Sequence, residues 1–154
     1  MNIFEATTHS EATVAASRER VWSALTDPVL LARLTPYVRS IDVDGHRWRW
    51  NLSRIPILGT AIAPSFTVVM TFEEPHRIEF APAPEVSGEQ AAVNGTYRLA
   101  RVTGGTHLLV ALTVRVDLPL PRAARRPAKV TMNLVMAFMG KRFSANLLRH
   151  LGIA

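Results

Sequence analysis

The chain has 154 residues, of which 48% are hydrophobic and 19% charged, with 10 prolines, 8 glycines and no cysteine. That length supports one core of useful size and is short for two ordinary domains, so residues 1–154 read as a single domain. The absence of cysteine excludes a disulfide scaffold, Cys-ligated zinc, iron–sulfur clusters and a thiol nucleophile. The formal charge is +6, but residues 1–117 hold 11 arginines and all 12 acids, whereas residues 118–154 hold 7 basic residues and no acid. The positive excess is therefore a property of the C-terminal segment. No basic stretch followed by an apolar run opens the chain, and the longest unbroken apolar run, Leu134 to Met139, is far below the roughly 18 residues of a membrane span. A cytoplasmic location with no integral membrane segment is the expectation.

In chain order, Thr7 to Ala15 reads as a first strand. Ser17 is the cap of a short helix with Val21, Trp22 and Leu25 on its apolar edge, and Asp27-Pro28 opens a second, with Leu30, Leu31 and Leu34, that Pro36 stops. From Val38 to Asp117 the apolar period falls to 2. Turn signals stand at Asp44-Gly45, Pro56 to Gly59, Glu74-Pro75, Pro82 to Gly88 and Gly104-Gly105, as in an antiparallel meander. Alternation sorts the faces. Trp48, Trp50 and Leu52, then Phe66, Val68, Met70 and Phe72, then Ile78 and Phe80, point one way. Val93, Tyr97 and Leu99, followed by Leu108, Val110, Leu112, Val114 and Val116, continue the same inward set. A one-sided sheet needs a cover, and Ala128 to Leu151, about 36 Å of helix, offers Met132, Val135, Met136, Met139, Phe143, Leu147 and Leu151 at three- and four-residue spacing.

The order strand, two short helices, about six further strands and one long helix is carried by particular stretches. "EATVAASRERVWSALTDPVLLARLTP", "RIPILGT" and "NGTYRLARVTGGTHLLVALTVRVDLPLP" resemble the START-like (SRPBCC) superfamily, which includes polyketide cyclases/dehydratases, birch-pollen-allergen-type plant proteins and the CoxG group. The resemblance covers nearly the whole chain and implies an α+β helix-grip fold: a curved antiparallel sheet of about six to seven strands with the long C-terminal helix on its concave face. It also implies a cavity between sheet and helix. Transferred to this chain, the wall residues are Trp48, Trp50, Phe66, Met70, Phe72, Tyr97, Leu112, Met136 and Met139, all of which would serve equally well as ordinary core. Amphipathic aromatics and adaptable methionines together suit a bulky apolar ligand.

Polar chemistry is sparse. The five histidines, at 9, 46, 76, 107 and 150, form no HExxH or paired metal-binding spacing, and no Gly-x-Ser-x-Gly elbow, phosphate loop or GxGxxG is present, so neither metal nor cofactor is expected. Inward polar candidates are Tyr97, the indole N–H groups of Trp48 and Trp50, Ser10, Thr8 and, on the long helix, Asn133. Tyr97 is the best single candidate for a catalytic or hydrogen-bonding role. His9, His107, Arg115 and Asp117 alternate outward, and a one-residue bulge in the last strand would reverse Arg115 and Asp117. The segment "PLPRAARRP" joins the last strand to the long helix. In a helix-grip arrangement it lies near one cavity mouth, so Arg122, Arg125 and Arg126 would form a basic entrance rim for an anionic group. No aromatics interleave with these arginines and no helix-turn-helix is apparent, so nucleic acid is not an expected partner.

Three functions stay open on these residues. The first is binding of a hydrophobic, lipid- or polyketide-like small molecule in the cavity. The second is an enzyme of cyclase/dehydratase type using the same cavity. The third is a CoxG-like accessory protein that docks to an enzyme or to anionic lipid at its basic end. Oligomeric state is not legible.

Overall fold

The structure, a computed structural model, describes residues 2–153. Strand β1 (Asn2–Val14) is followed by helices α1 (Arg18–Leu25) and α2 (Pro28–Leu34). Strands β2 (Val38–Asp44), β3 (Arg47–Leu52), β4 (Ile55–Ile57), β5 (Thr60–Ile62), β6 (Ser65–Glu73), β7 (Arg77–Pro82), β8 (Ala91–Val102) and β9 (Gly105–Leu118) come next, then a 3-10 turn (Arg122–Ala124) and helix α3 (Arg125–His150). Seven strands form one antiparallel sheet in the order β1-β9-β8-β7-β6-β3-β2, while β4 and β5 pair only with each other. This is the α+β helix-grip arrangement.

Local chemistry sets the first turns of both short helices. Ser17 Oγ accepts from Arg20 N–H at 3.2 Å, and Asp27 Oδ1 accepts from Leu30 N–H at 3.1 Å, with Pro28 at the first helical position. Each cap contributes about 1 kcal/mol. The buried edges of α1 (Val21, Trp22, Ala24, Leu25) and α2 (Leu30, Leu31, Leu34) then close one end of the sheet over Val14, Trp48, Met70, Ile78, Leu99 and Leu108, joined there by Leu147 and Leu151. A second cluster closes the other end, where Phe4, Ala6, Val116 and Leu118 meet Ala128 and Met132 of α3 and Ile55, Ile57 and Ile62 of the β4–β5 hairpin.

The register of the long ladders is unbroken. Each residue of β1 from Asn2 to Val14 has a partner on β9 from Leu118 to Thr106, and β8 pairs with β9 without a shift. No bulge reverses β9, so Arg115 stays on the outer face, bonded to Glu5 at 2.6 Å, and His107 meets Glu11 at 3.3 Å. Three boundaries differ from the sequence reading. β1 begins at Asn2 rather than Thr7, because Phe4 and Ala6 pair opposite Val116 and Val114 and are buried. α3 begins at Arg125 rather than Ala128, since Pro127 lies in the first turn, where a missing N–H costs nothing. Pro56 to Gly59 is the far half of a hairpin and not simply a turn between sheet strands.

The β8–β9 hairpin turns at Gly104 and Gly105, both with positive φ (85° and 151°). A Cβ at Gly104 would meet nothing within 4 Å, whereas one at Gly105 would lie 2.0 Å from the Val14 carbonyl oxygen. Urea unfolding should separate the two. Gly104→Ala is expected to cost about 1 kcal/mol of backbone strain, and Gly105→Ala distinctly more, because the clashing atom is backbone that can give only by parting β1 from β9.

Candidate functional site

Between the two packed ends lies a middle band that is not packed in the same way. Rows of inward residues run across the sheet. One is Thr8, Leu112, Gly95, Phe80 and Met70, and the next is Ser10, Val110, Tyr97, Ile78 and Phe72. Met70 and Ile78 are buried, but Thr8, Leu112, Gly95, Phe80, Val110, Tyr97 and Phe72 are only half-buried, Phe72 lying against Trp22 of α1. The helix mirrors this pattern. Ala128 and Met132 are buried near its start and Leu147 near its end, while Val135, Met136, Met139 and Phe143 between them are half-buried. Helix and sheet are therefore fully buried at both ends and only half-buried in the middle.

Aromatic rings line the β3–β6–β7 side of this band. Trp50 stacks on Phe66 with centroids 5.9 Å apart and planes within 11° of parallel, and this half-buried pair touches both core clusters. Phe80 meets Tyr97 edge-on at 5.4 Å. Gly95 makes that row possible: a Cβ there would lie 2.6 Å from Leu112 Cδ2 and 2.8 Å from Phe80 Cζ, so glycine lets both side chains lean over it. The hydroxyls of Thr8 and Ser10 lie across Val110 and Leu112 on β1.

Tyr97 has an unusual environment. Burial alone pushes its hydroxyl up to about 12, with no hydrogen bond contributing, yet the side chain is not packed out of reach of solvent. At neutral pH it is protonated and free to donate one hydrogen bond.

The opening of the band follows from the exposure of β1. Ser10 and Ala12 point inward by the register but are exposed, so α3 leaves this strip of the edge strand uncovered. On the helix, Gly140 lies toward the same side, opposite the flank where Phe138 meets Tyr37 at 6.2 Å, and a Cβ on it would touch nothing within 4 Å.

Several sequence expectations need correction. Trp48 and Met70 belong to the fully packed end, at 4% exposure each, and are core. Asn133 is exposed, because at 100° per residue it falls on the flank of α3, well round from Met132 and Met136, and not on the sheet-facing stripe. Arg122, Arg125 and Arg126 are exposed, but they stand at the start of α3 above the closed Phe4–Leu118–Ala128 end and do not rim the opening along β1. Phe72 packs at the α1 end, its ring 6.1 Å from those of Trp22 and Trp48, whereas Trp50, Phe66, Tyr97, Leu112, Met136 and Met139 are half-buried in the middle of the sheet and helix. The sequence reading also missed Phe80 and Gly95 as parts of this wall; Phe80 was legible as inward, whereas the role of Gly95 depends on its neighbours across two strands.

Among the described residues, no group of three or more His, Asp or Glu side chains could hold a metal ion, and no helix is long and apolar enough to cross a membrane. There are two further concavities. One, of about 520 Å³, lies over β1, β8 and β9 around His9, Ser10, Thr96, Arg98, Leu109 and Val110, and the other, of about 360 Å³, lies between α1, α2 and the end of α3. Both are open, and none of the aromatic side chains lines either one.

Comparison with known proteins agrees with this architecture. The family model described as "Polyketide cyclase / dehydrase and lipid transport" matches residues 5–151. A search of the curated proteins found no match. Among solved structures, a conserved protein from Geobacillus kaustophilus superposes with a TM-score of 0.71 at 16% identity, over 95% of each chain. The Zhui aromatase/cyclase from Streptomyces sp. R1128 gives 0.67 at 14% identity, over 95% of this chain and 93% of that one. The di-domain aromatase/cyclase StfQ from the steffimycin biosynthetic pathway gives 0.66 at 11% identity, with this chain spanning 50% of its length. At these identities the likeness is one of fold.

Folding raises the Tyr97 pKa from 10.0 to about 12, so the folded chain keeps a proton that the unfolded chain releases. The stability linked to this group is intact below pH 10 and falls as pH climbs toward 12. Urea midpoints measured across that window should drop more steeply for the wild type than for Tyr97→Phe; parallel curves would mean that the phenol is not desolvated.

Proposed function

The chain belongs to the polyketide cyclase/dehydrase and lipid transport family, and on that premise we propose that it binds a hydrophobic small molecule, lipid- or polyketide-like, in the middle band between the sheet and α3. One observation carries the reading: inward aromatic and methionine side chains are half-buried between two fully packed ends. A protein needing only a core would gain by closing that band, since each Å² of apolar surface left accessible forgoes about 25 cal/mol. An apolar ligand inserted beside the stacked Trp50–Phe66 pair would recover that burial, with Tyr97 donating a hydrogen bond to a carbonyl or hydroxyl at its polar end. The uncovered strip of β1 at Ser10 and Ala12 supplies an entry path.

A second reading uses the same atoms. In a cyclase or dehydratase the band would hold a poly-β-keto chain in a bent conformation, and rate would come mainly from positioning. The unpartnered Tyr97 hydroxyl favours this reading to the extent that it can polarise a carbonyl. Its raised pKa suits hydrogen-bond donation and disfavours full proton transfer near neutral pH.

Native mass spectrometry of the protein as purified should show a non-covalent adduct of an apolar molecule. Trp50→Ala and Phe66→Ala should each weaken its binding about tenfold or more, through lost burial and stacking. An unliganded spectrum, together with no uptake of fatty acids or aromatic polyketides in titration, would remove the proposal. Turnover of a poly-β-keto substrate that disappears in Tyr97→Phe would move it to the enzymatic reading.

A further inference from the structure

Helix α3 is apolar on two faces, and only one of them meets the sheet. On the opposite side, Val130, Leu134 and Phe138 are 58%, 66% and 49% exposed. They recur at i, i+4 and i+8, forming a ridge about 12 Å long. Lys141, three residues beyond Phe138, continues this line. At the other end stand Arg122 in the 3-10 turn and Arg125, Arg126 and Lys129 in the first turns of the helix.

The charge around this ridge is one-sided. No acid occurs from residue 118 to residue 154, and among the described residues none of the basic side chains in that segment forms a salt bridge. The helix start has no side-chain cap and no acid in its first turn, so unsatisfied N–H groups and arginines are crowded at the positive end of the helix dipole. That arrangement opposes folding slightly and is relieved by external anions.

A second exposed apolar residue stands on the opposite, sheet-facing side of the helix start. The β4–β5 hairpin packs its isoleucines on Ala128 and Met132, and its tip holds Leu58 at φ 50°, 40% exposed. A non-glycine residue in the left-handed region carries strain, and here that strain presents a leucine to solvent.

From the exposed ridge and its unpaired basic flanks, we propose that the outer face of α3 docks on the surface of an anionic lipid bilayer. Val130, Leu134 and Phe138 would enter the headgroup–acyl boundary while the arginines and lysines meet lipid phosphates. The ridge favours a bilayer over a protein partner. Val130, Leu134 and Phe138 are an exposed apolar line with no polar side chain among them to set a register, and the charges flanking them are long and flexible. Such a surface suits a fluid partner better than a shaped one. The inference does not depend on what the middle band binds, because the two faces of α3 are separate.

Flotation of the full chain with vesicles tests it. Vesicles of equal parts phosphatidylcholine and phosphatidylglycerol should carry the protein up, vesicles of phosphatidylcholine alone should not, and molar salt should weaken the association. Replacing Arg122, Arg125 and Arg126 together by alanine should lower partitioning about 100-fold. Val130→Ser with Leu134→Ser should lower it at least about tenfold while leaving the Tyr37–Phe138 contact in place, with circular dichroism confirming that both variants fold. Failure to float with anionic vesicles, equal flotation with both compositions, or wild-type flotation of the folded Val130→Ser/Leu134→Ser variant overturns the proposal. So does binding of an acidic protein at this ridge without any binding of vesicles.

Discussion

The structure depends on how one long helix is attached to one curved sheet. An antiparallel sheet with an apolar face must cover it, and here a single helix of 26 residues does most of the covering. It is fixed at two places: by Ala128 and Met132 against the β4–β5 hairpin and Phe4, and by Leu147 and Leu151 against α1, α2 and Val14. A helix held at both ends spans what lies between as a rigid rod. Whether the middle closes is then decided by the side chains there and not by the backbone. On the β1–β9–β8 side Gly95, Thr8, Ser10 and Ala12 are small, and none of them is fully buried.

Each end of the grip is secured by a different device. At the α1 end, capped helices wedge Trp22 and Leu25 into the core, and buried Thr106 donates a hydrogen bond to the Ala16 carbonyl at 2.8 Å, tying the β1–α1 link to the start of β9. At the other end, the small β4–β5 hairpin does what a longer strand could not. It leaves the main sheet, folds over the edge and puts three isoleucines beneath α3. Loss of either device would free one end of the helix, and the band between them would collapse or open. The binding reading and the stability of the fold therefore rest on the same contacts.

Much of this was legible in the sequence. Period-2 alternation assigned every inward residue from Trp48 to Val116 to the correct face, because one face is consistently apolar and the long strands carry no bulge. Legibility stopped where depth along the sheet mattered. Trp48 and Trp50 are indistinguishable by pattern, yet one is in the closed end and the other borders the band, since α1 and α2 cover only the first. Asn133 was misplaced for a related reason: next to Met132 in sequence, it is a quarter-turn away in space. Arg122, Arg125 and Arg126 were placed near a mouth by their position after the last strand, but which end of the sheet is open is set by packing that no local pattern records.

The same limit hid the outer ridge. Reading α3 for the residues that could face the sheet finds Met132, Met136, Met139 and Phe143 and leaves Val130, Leu134 and Phe138 unassigned, although their spacing is as regular. A helix whose apolar residues fall on two opposite faces has weak overall amphipathicity, which is easily taken for a poor stripe when it is two good ones. One stripe is accounted for by the sheet. The other is left in water beside unpaired positive charge, in a chain whose remaining residues are nearly neutral, and exposed apolar surface of that size on a helix has a cost that burial against an external partner would remove.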